Sequence, residues 1–265
     1  MLETTNTPED SAVHTSHYPH KPTLKAINPA TGAVIGKVAL TPLEEMPEIM
    51  SEARAAQKVW ESFSFERRRD HIFKIRDYVL KNAEEIATVI SHNNGKTLSD
   101  AMNTEVLPCV LAADWYAKKT KGILGKKNLP PSNVLFANKR AYVERLPMGV
   151  VGVISPWNYP MAIPFGEIIM GLMAGNAILF KTASETCLVG VEIEKAITAG
   201  DLPDGLFRLI VGKGHEVSTA FFKNGVDKIF FTGSVPVGKD LMQQAAATMT
   251  PLSLELGGND AMIVL

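Results

Sequence analysis

The sequence has little of what marks several broad classes of protein. It holds two cysteines, Cys109 within a helical pattern and Cys187 after Ser-Glu-Thr, too few for a disulfide framework. Both read as buried, reduced thiols. Neither sign of charge dominates, since 27 Lys and Arg stand against 28 Asp and Glu for a formal net charge of −1. Without a basic surplus there is no electrostatic case for nucleic acid or an anionic membrane as partner, and small-molecule chemistry is the expectation. Gly, Pro or charge interrupts every apolar run well short of a membrane span, and the start, MLETTNTPED, is polar and acidic where a signal peptide would be basic and then apolar. Cytoplasm is therefore the default location. The histidines show neither metal-ligand spacing nor a Ser-His-Asp ordering. His14, His17 and His20 lie in a Ser/Thr/Pro-rich stretch with no carboxylate or thiol to complete a metal set, so residues 1–20 read as a disordered tail.

What is present is an ordinary globular composition, 46% hydrophobic and 21% charged, over 265 residues, enough for one large domain or two small ones. Leu24–Leu40 alternates apolar residues around Asn28-Pro-Ala-Thr-Gly32 and predicts a β-hairpin. Thr41-Pro42-Leu43-Glu44 has a capping-box pattern that predicts a helix to about Phe63. Helices follow over Phe65–Lys81, from an Asn82 N-cap to Asn94-Gly95, and from about Ser99 to Lys121, the last with Val106, Val110, Leu111 and Trp115 as its inner face. The charges of this layer read as solvated helix faces. Asn128–Ser132 breaks the pattern, and Val134–Pro147 predicts an exposed, charge-bearing ribbon that leaves oligomerisation open.

From Gly149 strands and helices alternate. Strands are predicted at Val150–Ile154, Ala177–Lys181, Leu206–Val211, Lys228–Phe231, Leu252–Leu256 and Ala261–Leu265, with helices at Ala162–Ala174, Glu185–Ala199, His215–Lys223 and Val237–Ala247. That alternation predicts an α/β protein with a doubly wound parallel sheet. In Gly149–Pro160, GVVGVISPWNYP, a β-branched run delivers Trp157 and Asn158 into a turn stiffened by Pro156 and Pro160, at the strand end where open α/β sheets bind ligands. Three further constellations carry chemistry, each beside a plainer reading. Phe231-Thr-Gly233-Ser234-Val-Pro-Val-Gly238 leaves a strand and opens a helix, offering free N–H groups to a phosphate or simply an N-cap. GxGxxG is absent, with Gly212-Lys-Gly214 a partial echo. Lys181 ends an apolar strand, from which it reaches a ribose hydroxyl or phosphate, or snorkels to solvent. Glu255, in Leu252-Ser-Leu-Glu-Leu-Gly257-Gly258, is either a carboxylate whose burial would raise its pKa toward a general base or a half-exposed strand residue.

Together Pro156–Pro160, Gly175–Lys181, Phe231–Gly238 and Leu254–Gly258, in this order, resemble the aldehyde dehydrogenase superfamily, and Asn28–Gly32 and Asn94-Gly-Lys96 resemble its amino-terminal region. The resemblance implies a Rossmann-like sheet and NAD(P)-dependent oxidation of an aldehyde to a carboxylic acid, in which a cysteine thiolate attacks the aldehyde, hydride passes to nicotinamide and water hydrolyses the thioester. Asn158 then matches the amide donor of the oxyanion site, and Glu255 the base that activates the nucleophile or the water. Lys181 matches a contact to the adenosine ribose and Ser234 one to the pyrophosphate, while Ile154, Ser155 and Trp157 line the cofactor cleft. Pro156, Ser184, Gly212, Phe231, Gly233, Gly238, Leu256 and Gly257 complete the implied cofactor set.

The implied division is a tail at 1–20, a helical part at 21–127, an oligomerisation ribbon at 128–148 and an NAD(P)-binding core at 149–265. Two departures stand out. Ser184 occupies the position where many NAD-preferring members carry Glu, so a 2′-phosphate would meet no carboxylate and either NAD or NADP is expected. The sequence also stops at Met262–Leu265, before the family's Gly-Gln-x-Cys segment, and neither Cys109 nor Cys187 lies in that context. The expectation is thus a cofactor-binding portion that alone cannot complete acyl-thioester chemistry. The alternative is a non-catalytic nucleotide-binding fragment or interaction protein that docks on a full-length relative; as partners, a homo-oligomer or association with a full-length relative is expected. An acylating reductase fits less well, because Glu255-Leu-Gly-Gly supplies a hydrolytic base.

Overall fold

The turn at Asn28–Gly32 closes as its residues demand. Asn28 Oδ1 accepts from the Ala30 N–H at 2.9 Å, and Gly32 takes the left-handed φ of 71°. Strands β1 (Thr23–Ile27) and β2 (Val34–Ala39) pair antiparallel on either side. The computed structural model of the protein describes residues 22–264, so the tail expected over residues 1–20 lies outside the described residues.

The helical layer departs from its sequence signals at two starts. Thr41 makes no cap. Its N–H donates to the Val211 carbonyl at 2.9 Å and its Oγ1 accepts from the Val211 N–H at 3.0 Å, extending the hairpin toward the sheet. With that hydroxyl committed, Leu43–Glu45 forms a 3₁₀ turn and α1 (Met46–Glu61) begins behind it. Asn82 stands at the N-cap position of the next helix, as expected, but its side chain makes no cap there and closes the helix before it. Its Nδ2 donates to the Tyr78 carbonyl at 2.8 Å at the end of α2 (Phe65–Lys81), whose own start is capped by Ser64. Next come α3 (Ala83–Asn94), ended by left-handed Gly95, then α4 (Leu98–Ala101), a π turn at Met102–Val106, and α5 (Leu107–Leu124).

The inner face of α5 is Cys109, Ala113, Ala117 and Thr120, with Val106 buried just before it, whereas Leu111 and Trp115 are exposed. The wider π turn shifts the helical phase, and α2 and α6 pack against the small side chains. Beyond it, Lys127–Leu129 (β3) pairs with Ala141–Val143 (β4) as a two-stranded exposed ribbon. Only that part of the stretch expected at Val134–Pro147 is strand; Val134–Phe136 is a 3₁₀ turn.

The remaining strands, β5 (Val150–Ile154), β6 (Ala177–Lys181), β7 (Phe207–Ile210), β8 (Lys228–Gly233) and β9 (Leu252–Leu256), form one parallel sheet in the order β7-β6-β5-β8-β9. The fold is α/β and Rossmann-like. β5 and β6 are buried at every position, as a sheet covered on both faces requires. Right-handed crossovers put α6 (Ala162–Met173) and α7 (Cys187–Thr198) on one face and α8 (Gly214–Lys223) and α9 (Val235–Thr248) on the other. The strand expected at Ala261–Leu265 is not formed over the described residues, which after β9 carry no regular structure.

Helix α1 closes the amino edge of the sheet. Arg54 pairs with Asp227 at 2.9 Å, Gln57 Nε2 donates to the Gly175 carbonyl at 3.0 Å, and Trp60 Nε1 donates to the Leu172 carbonyl at 2.7 Å. Asp227 also accepts from the Val150 N–H at 2.7 Å, so it fixes where the central strand begins. The carboxyl edge is left open.

Candidate active site

Strand order reverses beside β5, whose chain continuations run to β6 on one side while β8 lies on the other. Loops leaving β5 and β8 therefore part, and a crevice opens between them at the carboxyl edge. It is a cleft of about 670 Å³ lined by Ile154, Ser155, Pro156, Trp157, Asn158, Lys181, Ala183, Glu185, Gly214, Phe231, Thr232, Gly233, Ser234, Val237, Glu255, Leu256 and Gly257. Every residue singled out in the sequence is on this wall except three. Ser184 opens a 3₁₀ turn at Ser184–Thr186 behind it. Gly212 and Gly238 are close-packing positions, where a Cβ would meet Val217 at 2.9 Å and Leu256 at 2.8 Å.

The turn after β5 is held at its first residue by the Ser155 N–H, which donates to the Lys181 carbonyl at 3.2 Å. Asn158 Oδ1 accepts from the Tyr159 N–H at 3.0 Å. Its carbonyl oxygen is thereby occupied, and its Nδ2 has no partner among the described residues, leaving a directed donor on the cleft. From the helical layer, Asn94 Nδ2 donates to the Trp157 carbonyl at 2.7 Å and Lys96 Nζ lies 3.8 Å from the Tyr159 ring centroid.

Lys181 is buried at the end of β6, where desolvation pushes its ammonium pKa down and the Glu185 carboxylate opposes that shift. The cation does not snorkel out and makes no ion pair among the described residues; it lines the cleft. Two buried hydroxyls on the same wall, Ser155 Oγ and Thr232 Oγ1, have no hydrogen-bond partner among the described residues. Ser234 is the N-cap residue of α9 but makes no cap hydrogen bond, so its hydroxyl and the first N–H groups of the helix remain open to the cleft. Gly214 and Gly257 have open space where a Cβ would stand. A cation, spare donors at a helix start and glycine-lined walls suit an elongated, phosphate-bearing ligand.

Of the two readings open for Glu255, the structure gives the exposed one: it stands on the cleft and is not buried in the sheet. β9 is the edge strand, so nothing described covers its far side. A nearby carboxyl that burial does act on is Glu167 of α6. Its Oε2 is buried without a partner among the described residues, and its pKa is pushed up to about 7, first by desolvation and then by the Glu255 charge. Sequence reasoning passed over Glu167, although a lone carboxylate in AIPFGEIIMGLM was a usable signal. It also passed over Glu185, adjacent to Ser184, and over Ala183, Gly214, Thr232 and Val237 beside flagged positions.

Both thiols are buried away from the cleft. Burial pushes Cys109 well up, with the Glu105 charge adding to it, and pushes Cys187 up to about 11. Among the described residues no His/Cys/Asp/Glu group could hold a metal, and no helix is long and apolar enough to cross a membrane.

The aldehyde dehydrogenase family model matches residues 17–265. A 4,4'-diapolycopene aldehyde oxidase of Methylomonas sp is 32% identical over 244 residues, 92% of this chain and 46% of that protein. An NADP-dependent glyceraldehyde-3-phosphate dehydrogenase of Streptococcus equinus is 31% identical over 249 residues, 92% of this chain and 51% of that protein. The crystal structure of an aldehyde dehydrogenase from Brucella melitensis biovar abortus 2308 superposes with a TM-score of 0.84 at 31% identity, covering 89% of this chain and 48% of that one. An NAD+ complex of an aldehyde dehydrogenase from Bacillus cereus gives 0.84 at 29% identity, covering 92% and 49%. The chain spans about half the length of the curated relatives it matches.

Proposed function

Since the chain belongs to the aldehyde dehydrogenase family, we propose that its switch-point cleft binds NAD or NADP and presents Asn158 and Glu255 for the oxidation of an aldehyde to a carboxylic acid. One observation carries the reading: the strand-end Asn, the buried lysine, the uncapped Ser234 helix start and the strand-end Glu, far apart in sequence, line a single cleft. The orphaned hydroxyls of Ser155 and Thr232 and the open walls at Gly214 and Gly257 fit a dinucleotide. When bound, the nicotinamide supplies a hydride acceptor. Lys181 holds the adenosine ribose and the α9 amino terminus with Ser234 holds the pyrophosphate. Asn158 Nδ2 donates to the aldehyde oxygen as negative charge develops there. Glu255 takes a proton from the attacking group.

We assign residues 21–127 to the helical part of the cofactor domain, 128–148 to an assembly ribbon and 149–265 to the nucleotide-binding core, in a cytoplasmic protein. Leu129, Tyr142 and Val143 on the ribbon are exposed and suit pairing with a second copy or a longer relative. A second, non-catalytic reading of these 265 residues is favoured by the two thiols: both are buried off the cleft, so neither serves as nucleophile.

Trp157, exposed on the cleft, reports both readings, because a bound dinucleotide quenches its fluorescence. NAD or NADP is expected to quench the protein saturably and to lose most of that signal in Trp157→Phe, while aldehyde plus cofactor gives no reduced nicotinamide. Absence of quenching overturns cofactor binding. Turnover by the 265-residue protein overturns the claim that it lacks a nucleophile.

A further inference from the structure

Glu105 is fully buried, and nothing in the chemistry just described uses it. It sits in the π turn Met102–Val106, where the wider turn brings Glu105 and Val106 inward in succession. Its Oε1 pairs with Lys96 Nζ. Its Oε2 accepts from the Met161 N–H at 3.1 Å and the Ala162 N–H at 2.8 Å, the first donors of α6. Those donors follow directly on Pro160, so one carboxylate sets where the turn at 155–160 ends and the helix begins. Lys96, which holds that carboxylate, also lies against the Tyr159 ring, and Asn94 two residues earlier holds the Trp157 carbonyl.

We propose that Glu105, clamped by Lys96, is a positioning residue for Asn158, acting by fixing the carboxyl end of the turn that carries it. Asn158 is itself exposed, so its place is set by the two ends of the turn and by its own bond from the Tyr159 N–H. The first end is tied to β6 through Ser155, and the second to the helical layer through Glu105. An ion pair whose carboxylate is fully buried is costly to desolvate and contributes little to stability that an apolar pair would not. Its worth here is geometric, because a donor displaced by about an ångström from a developing oxyanion loses much of its effect. π turns recur at functional sites for this reason: they re-aim one side chain without breaking the helix.

The inference rests on the reading of Asn158 as the oxyanion donor, and it is tested without cofactor or turnover, so the two fail separately. In the 265-residue protein the Asn158 side-chain amide resonance, identified by its loss in Asn158→Asp, and the hydrogen exchange of the Tyr159 amide report the turn. Glu105→Gln keeps the shape but loses the charge on the α6 donors. It is expected to shift the Asn158 resonance and to speed Tyr159 exchange about tenfold, together with Met161 and Ala162. Ile90→Val, a core variant with a comparable loss of thermal stability, is expected to leave both unmoved. The paired variant Lys96→Met with Glu105→Met folds and still displaces the Asn158 resonance. If Met161 and Ala162 exchange faster in Glu105→Gln while Asn158 and Tyr159 stay as in the wild type, Glu105 is a helix cap alone and the proposal falls. Should the paired variant not fold, the Glu105→Gln result alone decides.

Discussion

Replacing Glu167 by Gln converts a pH-dependent liability in the core into a constant one. In the folded protein this carboxyl titrates at about 7 against an ordinary value of 4.5, because burial disfavours its charged form and the Glu255 charge adds to the effect. The folded state therefore holds the proton to higher pH than the unfolded state. The stability tied to the neutral form is fully present below about 4.5 and is lost as pH rises through about 7, a difference of ~3 kcal/mol. Gln does not ionise. It does place an amide against an unpartnered buried position, which costs about 1–3 kcal/mol at every pH. The variant thus starts less stable than the wild type near pH 4.5, draws level as pH rises, and ends comparable or more stable above pH 7. Urea titrations of both proteins across that window, with matching m-values, measure the difference directly, and the titrations of groups not coupled to Glu167 cancel between them. Parallel curves would refute the reasoning, since they would mean that Glu167 ionises alike in both states.

Other substitutions probe separate parts of the structure. Gly149 has φ +126°, and a Cβ there would meet Asp227 Oδ2 at 2.3 Å, so Gly149→Ala is expected to cost more than about 2 kcal/mol in urea unfolding. Gly214, in open space at the start of α8, is the contrast: Gly214→Ala should be neutral or stabilise by about 0.4–1 kcal/mol. Glu185 lines the cleft beside Lys181, and if the proposed ribose site is there its charge would oppose a 2′-phosphate. Glu185→Gln is expected to tighten NADP several-fold over NAD by about 1 kcal/mol at low salt, and an equal effect on both cofactors would remove Glu185 from the ribose end.

The core of the fold was legible because buried parallel strands must be apolar along nearly all their length: Val150–Ile154 and Ala177–Lys181 occur as read. The site was legible where a polar residue interrupts such a run at its carboxyl end, as at Asn158, Lys181 and Ser234. What escaped was decided by partners distant in sequence. Thr41 has a capping-box context, yet Val211 takes its hydroxyl. Leu111 and Trp115 match a helical core stripe, but a π turn shifts the phase and small residues face α2 and α6. Glu255 lies in an apolar run that left burial and partial exposure both open, and it stands exposed on an edge strand, while the nearby carboxyl whose pKa is raised belongs to α6. Periodicity carries no information about which helix will lie against which strand edge.

The central claim is that one cleft at the switch point takes the dinucleotide. Gly257 lines it, with open space where a side chain would project, so Gly257→Leu fills the cleft without touching the core. Calorimetric titration of NAD and of NADP into the wild type, Lys181→Met and Gly257→Leu is the most direct measurement. The account predicts one equivalent bound by the wild type and affinity at least about tenfold weaker in both variants, with Gly257→Leu unchanged in thermal stability. Undiminished binding in Gly257→Leu, or none in the folded wild type, would contradict it.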